Sequence, residues 1–158
     1  MNKNNGLLVG AAGFEPVKRG LILLISLTII FVTVCLPYGV ARAEYKFAEN
    51  WTWQDTAWQG AFVAVLAADW TQTRYIAKNP DKYHETNPIL GKHPSTSQVD
   101  TYMAGCVLGH TLISLALPPK AEIFGYTINP RRIWQGVWIG IEAGYVIHNT
   151  SIGVKFEF

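Results

Sequence analysis

The chain has 158 residues, of which 49% are hydrophobic and only 15% are charged, against roughly 25% charged in an average globular protein. This length suits one domain with or without a targeting segment, and the composition favours a membrane-inserted or membrane-docked protein. A net charge of +2, with no basic run interleaved with aromatic residues, argues against a nucleic-acid partner. Cys35 and Cys106 both lie in apolar runs and have neither zinc-ligand spacing nor the pattern of a disulfide framework.

Residues 1–43 have the features of a targeting segment. Two basic residues at 18–19 precede an apolar run over 21–36, and Ala41-Arg42-Ala43 offers a small-residue cleavage site. This order is typical of a secretory signal peptide, with cleavage expected before Glu44. The alternative is an uncleaved anchor, since a run of about 16 apolar residues is just short of a full membrane span.

The first residues of the chain have an unusual pattern. The stretch LVGAAGFEP, residues 8–16, resembles translated transfer-RNA sequence. We hypothesise that residues 1–16 are not part of the natural product and that translation begins at Val17, read as methionine from a GTG codon. Mass spectrometry of the precursor's amino terminus would test this hypothesis.

After the predicted cleavage site we expect an all-α fold. Three helical segments are predicted, over about 53–77, 97–117 and 131–149. Asn79-Pro80 ends the first, because the residue before a proline avoids the helical region. Pro118-Pro119 ends the second, and Pro130 suits the first turn of the third. The sequence therefore predicts a small three-helix bundle in a single domain over 44–158.

Both ends of this domain show the alternation of a β-strand. Tyr45 and Phe47 alternate with Lys46, and the apolar residues of 152–158 recur at every second position. We expect a short two-stranded pair between the amino terminus of the mature chain and its carboxyl terminus. Such a pair argues against three simple antiparallel spans, which would leave the two ends on opposite sides of a membrane.

Two features of the helices favour contact with lipid. Glycine recurs at four-residue spacing, at Gly105 and Gly109 in the second helix and at 136, 140 and 144 in the third, as at helix contacts in membranes. Tryptophans gather near helix ends, as interfacial belts do: Trp51, Trp53, Trp58, Trp134 and Trp138. The apolar cores, about 17 to 20 residues long, are marginal for crossing roughly 30 Å of hydrocarbon. The alternative is a soluble bundle with glycine at close helix crossings.

Each predicted helix has a polar line with one ionisable group: Asp69, His110 and Glu142. A carboxylate in apolar surroundings costs several kcal/mol unless it is paired or protonated, so we expect these groups to meet one another or water. The remaining members of the lines, at helical spacing, are Gln72, Thr73, Cys106, Ser114, Gln135 and Asn149.

Three interpretations of the polar lines stay open. In the first, Asp69, His110 and Glu142 are catalytic residues of an acid–base site. In the second, the same oxygen and nitrogen set binds zinc, manganese or iron. In the third, the cluster is structural, His110 donates to a carboxylate, and an arginine neutralises the acids, the candidates being Arg74, Arg131 and Arg132. The sequence contains no zinc-protease, phosphate-loop or nucleophile-elbow motif.

The polar end of the first helix and the loop after it resemble a known pattern. Asp69-x3-Thr73, followed by Glu85-x-Asn87-Pro88, is similar to the D-x3-T and E-x-N-P motifs of a bacterial and archaeal family of small membrane proteins of unknown function. The longer string from Asp69 onward also resembles uncharacterised exported proteins of proteobacteria. These resemblances imply a membrane or exported location and no assigned activity.

The loop with the E-x-N-P motif is expected to fold back on the helix ends. Asn87 is restricted by Pro88, the pair Ile89-Leu90 can fill an apolar gap, and Gly91 can make the turn. Glu85 would cap a helix or pair with an arginine. We therefore expect a polar pocket, with these binding residues: Gln72, Thr73, Arg74, Glu85, Asn87, Arg131, Gln135 and Asn149.

The leading interpretation is a small exported protein of the bacterial envelope, with a structural or interaction role around a buried polar cluster. Its expected partners are membrane lipid and an envelope protein or a second copy, with the inner membrane favoured. One alternative is a membrane-embedded hydrolase or transferase of a lipid-like substrate, with Asp69 or Glu142 as base, His110 as acid–base group and Arg74 or Arg131 binding an anion. Another is a small-ligand or metal-binding module. The sequence identifies no cofactor.

Overall fold

The computed structural model describes residues 46–123 and 125–158, so the predicted signal peptide and the proposed start at Val17 lie outside the described residues. Three helices are present, α1 (Trp53–Lys78), α2 (Thr96–Ala116) and α3 (Pro130–Ser151), with two short strands, β1 (Ala121–Ile123) and β2 (Tyr126–Ile128). The predicted helical fold is confirmed, and each helix end lies within two residues of its predicted position.

Each helix begins at a side-chain cap. The Thr52 hydroxyl accepts a hydrogen bond from the Asp55 amide, and the Asp55 carboxylate accepts one from the Thr52 amide at 2.9 Å. Ser95 makes the same reciprocal arrangement at α2, and Asn129 caps α3, where Pro130 occupies the first turn. Such caps contribute about 1 kcal/mol each and fix where a helix starts.

The predicted strand pair between the two chain ends is wrong. The strands instead form an antiparallel hairpin between α2 and α3, with Ala121 opposite Ile128. Residues 46–50 form a turn in which Ala48 and Asn50 have positive φ angles of 57° and 46°. The Ala48 amide donates to the Leu115 carbonyl at 2.9 Å, so the start of the domain is held by α2 rather than by a strand partner.

The carboxyl-terminal tail lies along α1. The Glu157 amide donates to the Thr71 carbonyl at 3.2 Å, and the Glu157 carboxylate accepts a hydrogen bond from Lys78 at 2.6 Å. Val154 is buried with Ile76 and Tyr83 in a small apolar cluster. Of the alternating apolar residues of the tail, Val154 is buried, whereas Ile152, Phe156 and Phe158 are exposed, so the alternation marks neither a strand nor a continuous buried face.

The main apolar core lies between α1 and α2. It consists of Phe62, Leu66, Val99 and Met103, each at most 3% exposed, and α3 adds Trp138 at its edge. Helix α1 packs against both other helices, so its inner face lies between them. That arrangement places the polar lines inside the bundle.

The outer faces of the helices are apolar over their middle turns. In 57–67, 104–112 and 133–147, every exposed residue is Ala, Gly, Val, Leu, Ile or Trp. Polar side chains lie inside: Asp55, Asp69, Gln72, Thr73, His110, Ser114, Arg131, Gln135, Glu142 and Asn149 are all buried. Within the described residues, no helix combines the length and the apolar character needed to cross a membrane.

The glycines and tryptophans do not all lie where the sequence suggested. A Cβ added at Gly105, Gly109, Gly140 or Gly144 would meet nothing within 4 Å, so these glycines do not mark helix crossings within the described chain. Gly136 is the exception, because its Cβ would lie 3.4 Å from the Trp58 ring. Of the tryptophans, Trp53 and Trp58 are 77% and 40% exposed, whereas Trp134 is buried.

Candidate functional site

The buried polar residues form two separate groups, of which the first surrounds Arg131. This side chain is fully buried at the start of α3. Its guanidinium donates to the carbonyls of Ser114, Leu117 and Glu49 at 2.8–3.1 Å, and one nitrogen lies 3.5 Å from the Asp55 carboxylate. It therefore connects the segment before α1, the end of α2 and the start of α3.

We define the arginine cluster as Asp55, Arg131, Arg132 and Gln135, and Asp55 is its acid. Arg132 contacts its carboxylate at 3.0 Å, and the Gln135 amide donates to its carbonyl at 3.2 Å. Burial favours the neutral form of Asp55, but hydrogen bonds from Thr52 and the two arginine charges outweigh it and lower the pKa. Arg131 and Gln135, predicted as binding residues, are thus engaged in a structural brace.

Arg74 forms an ion pair with Asp100 rather than with Asp69 or Glu142. Its guanidinium donates to both oxygens of Asp100 at 2.8 Å, and the Trp70 indole donates to the same carboxylate at 2.7 Å. These hydrogen bonds lower the pKa of Asp100, and the bond from Trp70 has the largest effect. The expectation that Arg74, Arg131 or Arg132 neutralises Asp69 or Glu142 is therefore not met among the described residues.

His110 lies in an aromatic stack rather than beside the acids. Its ring stacks on Phe62 with centroids 3.6 Å apart and on Trp134 at 5.4 Å, and its Nδ1 is 3.5 Å from the Ser114 hydroxyl. Burial lowers the pKa of His110 to about 4, so the ring is neutral at pH 7. Within the described residues no hydrogen bond or charge interaction joins His110 to Asp69 or Glu142, so the predicted catalytic trio is divided.

The second group is the carboxyl cluster, which we define as Asp69 of α1, Glu85 of the following loop and Glu142 of α3. Asp69 and Glu142 are 7% and 8% exposed. Asn149 donates to Asp69 Oδ1 at 3.3 Å, and the Thr73 side chain also hydrogen-bonds the Asp69 carboxyl group. Three chain segments thus bring acidic side chains together.

Burial dominates the electrostatics of this cluster. Burial, and after it the charges of Glu142 and Glu85, raise the pKa of Asp69 to about 8. Burial raises the pKa of Glu142 to about 7. Neither acid has a cation beside it in the described part of the chain, so both exchange their protons near neutral pH rather than near pH 4.

Hydroxyl and thiol groups surround the acids. Tyr102 and Cys106 of α2 hydrogen-bond each other, and the Asn87 side chain of the loop hydrogen-bonds Tyr102. Burial, and then the charges of Glu142 and Asp69, raise the pKa of Tyr145 to about 12, and burial raises the pKa of the Cys106 thiol. All three helices and the loop therefore contribute to the site.

The loop is shaped by its own acidic and amide side chains. Glu85 Oε1 accepts hydrogen bonds from the Thr86 and Asn87 amides at 2.7 and 2.8 Å, and Asn87 Oδ1 accepts one from the Ile89 amide at 2.9 Å. Leu90 packs against the main core, whereas Ile89 is 76% exposed. The predicted fold-back is present, with Leu90 alone filling the apolar gap.

Chemically, the cluster can take up and release protons near neutral pH, because it combines carboxyl pKa values near 7 and 8 with neighbouring hydroxyl groups. Among the described residues, no three His, Cys, Asp or Glu side chains are placed to hold a metal ion. The predicted binding residue Gln72 ties α1 to α3 instead, donating to Thr150 Oγ1 at 2.9 Å, while its side-chain Oε1 has no hydrogen-bond partner among the described residues.

Four residues that take part in these polar interactions were not identified as site residues from the sequence. Asp55 and Asp100 pair with the arginines, and Tyr102 and Tyr145 line the carboxyl cluster. A signal existed for Asp55, which lies three residues after Thr52 in a capping pattern, and for Tyr145, which lies one helical turn after Glu142.

Comparisons with known proteins identified no relative of this chain. No protein-family model, no curated protein and no solved structure matches this chain. The resemblance to the small membrane proteins with D-x3-T and E-x-N-P motifs stays a prediction.

Proposed function

We propose that this chain is a small membrane-associated protein of the bacterial envelope, with a structural or interaction role, and that its helices present their outer faces to lipid. The observation that carries the proposal is the distribution of side chains across the three helices. Their middle turns expose apolar residues alone, while ten polar and charged side chains are buried. A water-facing bundle has the opposite distribution.

Lipid is favoured over a single protein partner because the apolar surface is not confined to one side. Val63 of α1, Leu108 of α2 and Ile147 of α3 are 37%, 61% and 70% exposed, and they belong to three different helices. One partner chain would cover one face of the bundle, whereas hydrocarbon surrounds it. A large exposed apolar surface of this kind needs a partner of some sort.

The start of α1 suits the boundary between hydrocarbon and water. Trp53 and Trp58 are exposed there, and the Arg132 guanidinium lies 5.1 Å from the Trp58 ring centre. Amphipathic rings and arginine side chains with apolar stems are enriched at that depth of a membrane. The export signal predicted over residues 1–43 is consistent with an envelope location, and the inner membrane remains the favoured one.

The position of His110 weighs against the enzyme alternative. A hydrolase using Asp69, His110 and Glu142 needs the imidazole within hydrogen-bonding reach of an acid or of the substrate. In the described chain that ring lies between Phe62 and Trp134 instead. The arginines proposed as anion holders are engaged by Asp100 and Asp55.

One face of α2 allows a direct test. Ser97, Thr101, Leu108 and Leu112 are exposed on this face, which changes from hydroxyl to leucine along the helix. In the full chain, with Cys35 and Cys106 changed to serine, each of the four positions in turn is replaced by cysteine. Each cysteine is then spin-labelled, and the labelled protein is reconstituted in vesicles of bacterial phospholipid. Collision rates with oxygen, which concentrates in hydrocarbon, and with a water-soluble nickel complex are then measured.

The proposal expects labels at 108 and 112 to collide mainly with oxygen and labels at 97 and 101 mainly with nickel. Because the comparison is local, an anchor elsewhere in the chain does not affect it. Equal nickel access at all four positions would contradict the proposal. Shielding of 108 and 112 from both reagents would show that a protein, a second copy or another partner, covers this face instead of lipid.

A further inference from the structure

Oxygen-bearing side chains of α1 and α3 meet at Asp69, between the two helices. Asp69, Thr73 and Asn149 are 7%, 2% and 9% exposed, so all three are deeply buried. The Asn149 amide donates to Asp69 Oδ1 at 3.3 Å, and the Thr73 side chain hydrogen-bonds the same carboxyl group. Three buried polar side chains from two helices are therefore in contact around one carboxyl group.

Gln72 adds a buried oxygen that has no partner in the described chain. Its side chain is 0% exposed and lies three residues after Asp69, on the same face of α1. Its amide nitrogen donates to Thr150 Oγ1 at 2.9 Å and to the Val146 carbonyl at 3.4 Å, so the amide points at the turn of α3 that contains Asn149. The other atom of this amide, Oε1, is buried and accepts no hydrogen bond from the described residues. A buried polar atom without a protein partner is rare, and a bound water or ion is a common explanation.

We define the oxygen site as these four buried side chains: Asp69, Gln72, Thr73 and Asn149. Its carboxyl group has no arginine or lysine beside it in the described chain, whereas the negative charges of Glu142 and Glu85 act on it. A buried carboxylate is costly unless a positive charge balances it. The other groups of the site are amides and a hydroxyl, and hard cations prefer such oxygen ligands together with carboxylates. The site therefore offers oxygen ligands and a negative charge in a place that lacks a cation from the protein.

We propose that the oxygen site binds a sodium ion between α1 and α3. The Asp69 carboxylate balances the charge of the ion, and the side-chain oxygens of Gln72 and Thr73 are further ligands from α1. Asn149 supplies its Oδ1 once its amide turns over, which breaks only the long hydrogen bond of 3.3 Å to the acid. A single carboxylate matches an ion of charge +1. The ion joins α1 to α3 at the opposite end of the bundle from the arginine cluster, and its binding does not depend on the proposed contact with lipid.

Thermal unfolding of the full chain in detergent, followed by circular dichroism at pH 8.5, tests the site. Sodium chloride is raised from 5 to 300 mM, and tetramethylammonium chloride, whose cation is too large for a buried oxygen site, keeps the ionic strength constant. An ion that binds only the folded chain raises the unfolding temperature as its concentration rises, and we expect a rise of about 4 °C or more over this range. Because the ionic strength is constant, general screening of surface charges does not contribute to the rise.

Two variants and a control locate the response. Asp69→Asn removes the charge of the site, and Thr73→Val removes one oxygen at nearly constant volume, so each should lose at least half of the sodium-dependent rise. Asp100→Asn changes an acid that pairs with Arg74 outside the site and should respond like wild type. If Asp69→Asn does not fold, Thr73→Val decides. The proposal is refuted if sodium leaves the unfolding temperature of wild type unchanged, if the folded variants of the site keep the full rise, or if Asp100→Asn loses it as they do.

Discussion

Replacing Asp69 by asparagine should stabilise the fold at neutral pH. The side chain is buried, and the replacement keeps its shape and an oxygen that can accept the hydrogen bond from Asn149. Wild-type Asp69 has a pKa of about 8 in the folded chain against 3.8 as the ordinary value. At pH 7 the folded protein must therefore hold a proton that the unfolded chain has already released.

The size of the effect follows from this difference. Between pH 3.8 and pH 7 the linkage amounts to about 4 kcal/mol at 1.36 kcal/mol per pH unit, an upper limit because the acids are coupled. Because the pKa of Asp69 is higher in the folded chain than in the unfolded chain, the free energy of unfolding is highest below about pH 4. It falls as pH rises and reaches its lowest value above about pH 8. Asp69→Asn should remove this cost and so gain up to about 4 kcal/mol at pH 7, with little gain at pH 4.

Urea unfolding of the full chain in detergent, followed by circular dichroism at pH 4.5, 7 and 9, measures these differences. Asp100→Asn is the matched control, since this side chain is 37% exposed and pairs with Arg74 outside the cluster, so its replacement should leave the dependence of stability on pH between 4.5 and 9 unchanged. If Asp69→Asn is less stable than wild type at pH 7, or if its stability falls with pH as steeply as that of wild type, the assignment of a buried protonated acid is wrong.

Three further outcomes are expected. Arg131→Gln should lower the free energy of unfolding by about 3–5 kcal/mol, because Asp55 and three carbonyls lose a buried charged donor; urea unfolding measures it. His110→Phe should fold with a change below about 1.5 kcal/mol in the same assay, since the neutral ring serves mainly to stack on Phe62 and Trp134. The Cys106 thiol, partly buried and with a raised pKa, should react with Ellman's reagent at pH 8 at least tenfold more slowly than after denaturation.

The helices could be predicted because their signals are local. Thr52, Ser95 and Asn129 cap the three starts, and prolines lie at or beyond the ends, so the predicted bounds agree closely with the structure. The seven-residue spacing of Gln135, Glu142 and Asn149 also predicted one buried face of α3, and all three are buried. The spacing of residues along a helix predicts which face of that helix is buried, even when the element that packs against it is unknown.

The partners could not be predicted, because pairing depends on tertiary packing. Asp55 meets Arg131, 76 residues later, although Asp69 and Glu142 were equally plausible partners from the sequence. His110 shares a helix face with Cys106, yet Cys106 lies at the carboxyl cluster and His110 lies between aromatic rings one turn away. The strand predicted from the alternation of the tail failed for the same reason, since Phe47 of its expected partner lies in a turn beside α2 and the tail lies along α1.

The contrast between the two polar groups argues that they have different roles. Both are buried between the same helices, and both contain acids. The arginine cluster surrounds Asp55 with two cations and leaves its pKa lowered, which is the arrangement of a permanent brace. The carboxyl cluster has no cation in the described chain, so its acids hold protons near neutral pH at a cost in stability. Natural proteins retain such costs in stability chiefly where function requires them, so the carboxyl cluster is the stronger candidate for a functional site and the arginine cluster for a structural one.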